Sequence, residues 1–240
     1  MTNPSESVCE ESAAYTMYNV KQHLHEVLEQ LPEGVRLVAI SKYHPAEFIM
    51  AAYEEGQRIF GESHEQELRL KHEQLPNDIQ WHFIGHLQTN KVKYVAPYVS
   101  MIESVDSIKL LREINKQALK CGRTIDVLLE LHIAAEETKY GLTPDDCRQL
   151  LADGEWRDMQ GVRICGLMMM ATYTDDTEQI RREMLMAADL FDELKQQYFP
   201  TLPYFRERSW GMSHDYRIAT DECRSTMVRI GTTIFGPRVY

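Results

Sequence analysis

Val35-Arg-Leu-Val-Ala-Ile-Ser-Lys42 is the stretch from which the fold is read. Its apolar, β-branched run predicts a strand over Arg36–Ser41 that delivers Lys42 to its C-terminal end. Tyr43-His-Pro45 then opens a loop and a helix, because proline suits a first helical turn, where its missing N–H matters least. The same alternation runs along the chain. Further strands are predicted at Arg58–Phe60, Gln80–Ile84, Met101–Ser104, Ile125–His132, Gly161–Met168, Phe205–Trp210 and Thr226–Ile230. Helices are predicted at Pro45–Glu55, Ser63–Glu73, Gln88–Ala96, Ile108–Lys120, Pro144–Ala152, Thr177–Tyr198 and Tyr216–Cys223, with one more, Glu11–Gln30, before the first strand. Asp106-Ser107 and Thr143-Pro-Asp-Asp146 read as capping sequences, with acids at the positive end of the helix dipole. Eight strands alternating with helices imply parallel βα units. Closure into a (β/α)₈ barrel is the simplest arrangement, with an open doubly wound sheet as the alternative.

The 240 residues are 43% apolar, enough for a substantial core, and no repeat, linker or low-complexity tract divides them. One α/β barrel over residues 11–240 is expected, preceded by a short flexible arm, Met1–Glu10. That arm lacks the basic start and apolar stretch of a signal peptide, and no apolar run reaches the roughly 18 residues of a membrane span. A cytoplasmic, non-membrane protein is the expectation. The five cysteines have neither CxxC nor Cys/His ligand spacing, so reduced thiols are expected, with no disulfide framework and no metal site. A net charge of −11 repels polyanions, which argues against nucleic-acid binding but leaves room for a local anion site.

Lys42 stands where active-site groups of parallel barrels gather, at the C-terminal edge of a strand. An amine there condenses with an aldehyde if its pKa is lowered; otherwise it simply reaches water. Two polar glycine turns close the last two strands: Ser209-Trp-Gly-Met-Ser-His-Asp215 and Arg229-Ile-Gly-Thr-Thr-Ile-Phe-Gly236. Gly211 and Gly231 permit close backbone approach, and Ser213, Thr232 and Thr233 offer hydroxyls. Such turns also occur in ordinary loops, but these stand where barrels often bind phosphate. Arg229 interrupts an apolar strand and never sheds its proton, so it either faces out, pairs with a core carboxylate, or donates to a ligand. His82, on the third strand, reads alone as a hydrogen-bonded core histidine. His86 straddles the strand end, which argues against metal ligation. Gly166-Leu-Met-Met-Met-Ala171 reads as barrel packing, since methionine fills irregular gaps.

Together these blocks resemble the pyridoxal phosphate homeostasis protein family. The resemblance rests on Val38-Ala-Ile-Ser-Lys42, Gly61-Glu62 with Gln66-Glu67, and Trp81-His-Phe-Ile-Gly-His-Leu-Gln-Thr-Asn-Lys91. Gly166-Leu-Met168, Gly211-Met-Ser-His-Asp215 and Val228-Arg-Ile-Gly-Thr-Thr-Ile-Phe-Gly236 extend it, in the family's order, from about Val35 to Arg238. It implies a TIM-type barrel similar to the N-terminal domain of alanine racemase, the type III fold of pyridoxal 5′-phosphate (PLP) enzymes. By the same resemblance, Lys42 carries PLP as a Schiff base, Arg229 faces the pyridine nitrogen, and Ser213, Gly231 and Thr232 cradle the phosphate. Met212 and His82 would lie near the ring. The family's Gly-Glu-Asn-Tyr block reads Gly61-Glu-Ser-His64 here, so Ser63 takes the place of an asparagine and the contact made by that amide is expected to be lost or bridged by water.

An arginine at the pyridine nitrogen would leave the ring unprotonated and a poorer electron sink. The sequence ends at Tyr240 just after the eighth strand, so the C-terminal β-domain and second base of alanine racemase are expected to be absent. The resemblance therefore implies a PLP-binding protein that stores, buffers or delivers its cofactor, with no turnover required. The alternative is a PLP enzyme with weak racemase or lyase activity, assisted by His82 or Tyr43; a third possibility is a cofactor-free interaction protein. The expected partners are PLP and PLP-dependent apoenzymes, and a monomer is expected.

Overall fold

The structure, a computed structural model, describes residues 17, 19–134 and 140–237. The predicted arm and the first residues of the predicted N-terminal helix lie outside the described residues. Eight parallel strands close into a barrel in sequence order: β1 Arg36–Ile40, β2 Ile59–Glu62, β3 Gln80–Phe83, β4 Met101–Val105, β5 Ile125–Leu131, β6 Val162–Met169, β7 Glu207–Met212 and β8 Met227–Ile230. The closing pair is β8 with β1, in register from Arg36 opposite Met227 to Ala39 opposite Ile230. The open-sheet alternative is therefore excluded.

Around the barrel lie α1 (residues 19–30), α2 Ala46–Glu54, α3 Glu65–Gln74, α4 Val92–Val95, α5 Ile108–Lys120, α6 Pro144–Asp153, α7 Thr177–Tyr198, α8 Tyr216–Asp221 and α9 Thr232–Phe235. Each strand divides its side chains by the period of two. On β1, Leu37 and Ala39 join the core between barrel and helices, whereas Val38 and Ile40 point inward with Met101, Leu128, Cys165, Met168 and Met227. Met168 thus fills the interior as its sequence context implies. On α1, Val20, Leu24 and Val27 repeat at helical spacing and are buried against the outer core. Lys21 of α1 pairs with Glu54 at 2.8 Å.

The capping readings hold in detail. Ser107 accepts from the Leu110 N–H, and Thr143 with Asp146 forms a reciprocal capping box behind Pro144. Most boundaries shift by a residue or two, and three differences have a clear physical reason. The single helix expected at Gln88–Ala96 is a 3-10 turn, Thr89–Lys91, followed by the short α4, because β-branched Val92 and Val95 propagate a helix weakly and Pro97 stops it. β7 continues past Trp210 through Gly211, whose positive φ of 97° and close approach to α8 suit glycine: an added Cβ would stand 2.6 Å from the Ala219 Cβ. Helix α9, read from sequence only as a turn, forms because burial of Ile234 and Phe235 outweighs the poor helix propensity of Thr-Thr-Ile. Among the described residues, no helix is long and apolar enough to cross a membrane.

The Thr143 cap is testable in isolation. Thr143→Ala is expected to cost about 1 kcal/mol, lowering the thermal midpoint by roughly 2–4 °C. An unchanged midpoint in scanning calorimetry would show that the capping box contributes nothing.

Candidate functional site

Closure of the barrel brings the ends of β1, β7 and β8 together, and there a cavity of about 410 Å³ opens at the C-terminal edge. Lys42, Met212, Ser213, Arg229, Gly231 and Thr232 all line it, joined by Ile40, His44, Ile84, Met170, Tyr173 and His214. Ser63 and His82, also singled out in the sequence, are not among its lining residues. Ser63 lies against the backbone of Gly85, where an added Cβ would stand 2.4 Å from the Ser63 carbonyl. His82 points into the barrel below the cavity. Its Nδ1 lies 2.7 Å from Oε1 of Glu103, so it behaves as the hydrogen-bonded core histidine that its residue type suggests.

His82 belongs to a buried chain of polar groups that ends at the cavity. Glu103 accepts from the Ser209 hydroxyl at 2.6 Å. Ser209 in turn accepts two bonds from Nη1 of Arg229, on its hydroxyl and its carbonyl, both at 2.7 Å. Nη2 of Arg229 donates to the Met169 carbonyl at 2.8 Å, and Glu103 stands 3.9 Å from Nη1. Arg229 therefore pairs with a core carboxylate and also lines the cavity. Three of its five N–H groups are engaged, leaving two to offer to a ligand acceptor. Burial tends to raise the Glu103 carboxyl, but the His82 hydrogen bond and the His82 and Arg229 charges prevail and hold it below the ordinary carboxylate range.

On the β7–β8 side, the Gly231 N–H donates to the Ser213 hydroxyl at 3.3 Å. An added Cβ at Gly231 would meet the Ile40 carbonyl at 3.0 Å, so glycine lets this turn close onto the end of β1. Helix α9 starts here. Ile234 and Phe235 donate back to the Gly231 carbonyl, and among the described residues the N–H groups of Thr232 and Thr233 have no carbonyl partner. The Ser213 and Thr232 hydroxyls and the start of α9 at one rim form a donor set suited to a phosphate. An amine, an anion cradle and a guanidinium on one cavity fit a phosphorylated aldehyde with a ring acceptor. Among the described residues, no group of three or more His, Cys, Asp or Glu side chains is placed to hold a metal ion.

Several lining residues escape the sequence reading. His44 follows Lys42 by two and could have been proposed from the strand end. His214 lies inside an already quoted block. Met170 belongs to the methionine run read as packing, and the run divides: Met168 packs the interior while Met170 reaches the cavity. Tyr173 carries no motif.

Comparison with known proteins places this geometry in a lineage. The family model for the alanine racemase N-terminal domain matches residues 17–239. A pyridoxal phosphate homeostasis protein of Aquifex aeolicus is 37% identical over 95% of this chain and all of its own. One from Schizosaccharomyces pombe is 34% identical over 93% of each. The structure of PipY from Synechococcus elongatus with PLP bound superposes with a TM-score of 0.81 at 35% identity, covering 90% of this chain and all of PipY.

One further carboxylate lies in the barrel interior. Glu130 on β5 is buried, and burial together with the Asp106 charge pushes its carboxyl up to about 7 against the pull of Arg229. The native state thus holds this proton more tightly than the unfolded chain does. The resulting stability is fully present below the ordinary carboxylate pKa and is lost as pH rises toward 7. Glu130→Gln, neutral and of the same shape, is expected to be more stable than the native protein by roughly 2–3 kcal/mol near pH 8 and no more stable near pH 4. Urea unfolding at the two pH values measures this, and an equal effect at both would refute a charge-burial cause.

Proposed function

The chain belongs to the pyridoxal phosphate homeostasis protein family, and from that membership we propose that it holds PLP as a Schiff base on Lys42 and stores, buffers or delivers it. The observation that carries this reading is the shared cavity of Lys42, the Ser213–Thr232 rim and Arg229. When bound, PLP supplies an aldehyde for covalent attachment and a ring whose electron demand depends on protonation of its nitrogen.

The protein's own groups divide the work. Lys42 would provide, in its neutral form, the amine to which the aldehyde could attach covalently. Ser213, Gly231 and Thr232 bind the phosphate through hydroxyl and backbone donors. Arg229 presents its remaining N–H groups to the pyridine nitrogen. Since Arg229 keeps its proton, it would donate to that nitrogen and leave it unprotonated, which would weaken carbanion chemistry. Met212 packs beside the ring. His82, the group on which an enzymatic reading would lean, acts one step away by pairing with Glu103, which balances Arg229. Retention of PLP without turnover follows from these roles. In this reading the chain works in the cytoplasm as a monomer and passes PLP to PLP-dependent apoenzymes.

Incubation with PLP is expected to turn the protein yellow, and borohydride reduction should fix the label on Lys42, as read by peptide mass spectrometry; Lys42→Ala should stay colourless and unlabelled. A label on another lysine would overturn the assignment. The phosphate cradle is tested separately. PLP should bind far better than pyridoxal, and Ser213→Ala combined with Thr232→Ala should weaken PLP by about 100-fold while leaving pyridoxal nearly unchanged. Equal affinity of the native protein for both aldehydes would remove the cradle from the account.

A further inference from the structure

Beneath the Lys42 turn lies a second buried cluster, which the function above does not use. Lys71 of α3 is only 6% exposed. Its ammonium donates at 2.7 Å to each of three acceptors: the Ser41 carbonyl, Oε1 of Glu62 and Oε1 of Glu67. That same Glu67 oxygen accepts the Tyr43 N–H at 2.6 Å, and Glu62 accepts the Ser41 hydroxyl at 2.6 Å. One cation therefore grips the backbone just before Lys42 directly and the backbone just after it through a shared carboxylate.

The location gives this grip a purpose beyond charge balance. β1 ends at Ile40, and the Ser41 N–H, bonded to the Gly61 carbonyl at 3.1 Å, is the last backbone tie to β2. Tyr43 then adopts φ 65°, a left-handed conformation that a bulky side chain avoids unless its surroundings impose it. A buried lysine paired with carboxylates alone is often replaceable by apolar groups. Here the third bond goes instead to the peptide carbonyl next to the reactive lysine. Condensation of an amine with an aldehyde depends steeply on the placement of the attacking nitrogen.

We propose that Lys71, acting with Glu67, is a positioning residue that fixes the Lys42 turn so that the Lys42 amine meets the aldehyde. This rests on the reading of Lys42 as the PLP-bearing residue.

The test separates positioning from mere folding by using two ligands. PLP condenses with Lys42 and is followed by its visible absorbance. Pyridoxine 5′-phosphate has the same ring and phosphate but an alcohol in place of the aldehyde, so its affinity reports only the cradle and Arg229. Lys71→Met is expected to slow the appearance of absorbance by about tenfold or more while pyridoxine 5′-phosphate affinity stays within about twofold. Should Lys71→Met fail to fold, Glu67→Ala decides: it leaves the buried Lys71–Glu62 pair intact, removes the acceptor of the Tyr43 N–H, and should slow condensation in the same selective way. Equal losses for both ligands, or no loss in either, overturn the positioning role. Failure of the native protein to label on Lys42 is a separate result, which removes the Lys42 reading and this inference with it.

Discussion

A guanidinium that cannot lose its proton lies inside the barrel, and the upper interior is arranged around that charge. Burial pushes the pKa of Arg229 down while the charges of Glu103, Asp215 and Glu130 hold it up. Ser209 and the Met169 carbonyl take three of its N–H groups; Glu103 balances its charge, and His82 holds Glu103 in place. Removing Glu103 would leave the buried Arg229 charge uncompensated, which is far more costly than losing a surface ion pair. This interdependence explains why His82 and Ser209 belong to the site although neither lines the cavity.

The reactive rim is built on the seam where the barrel closes. Val38 on β1 stands opposite Arg229 on β8, and the turn after β8 closes onto the Ile40 carbonyl at the end of β1. Beside this seam, Ser41, Glu62, Glu67 and Lys71 hold the turn that carries Lys42. Two buried networks, one centred on an arginine and one on a lysine, therefore flank the cavity. The first holds a guanidinium at the cavity; the second ties down the backbone on either side of Lys42.

Much of this was legible in the residues. The strand ending in Ser41-Lys42, the glycine turns after Trp210 and Ile230, and the charge within Met227-Val-Arg-Ile230 signal an amine, an anion cradle and a fixed cation, because each places an expensive or unusual residue where an ordinary strand would not. Lys71 was illegible: on α3 it reads as a solvent-facing lysine, and only packing of that helix beneath the Lys42 turn buries it. Glu103 and Glu130 look like polar interruptions of apolar strands until their partners are known. Ser63 was expected among the cofactor contacts from its place in a family block, but it packs against the Gly85 backbone and does not line the cavity.

The sequence by itself determined the alternation of strands and helices, the caps, and the residue types the chemistry requires. Those properties are local: they follow from periodicity, propensity and the cost of burying charge. Tertiary structure alone decided that the first strand and the last should be neighbours, that Arg229 and His82 should share Glu103, and that Thr-Thr-Ile-Phe should become helical. Each depends on contacts between segments distant along the chain, whose energies enter only when the barrel closes.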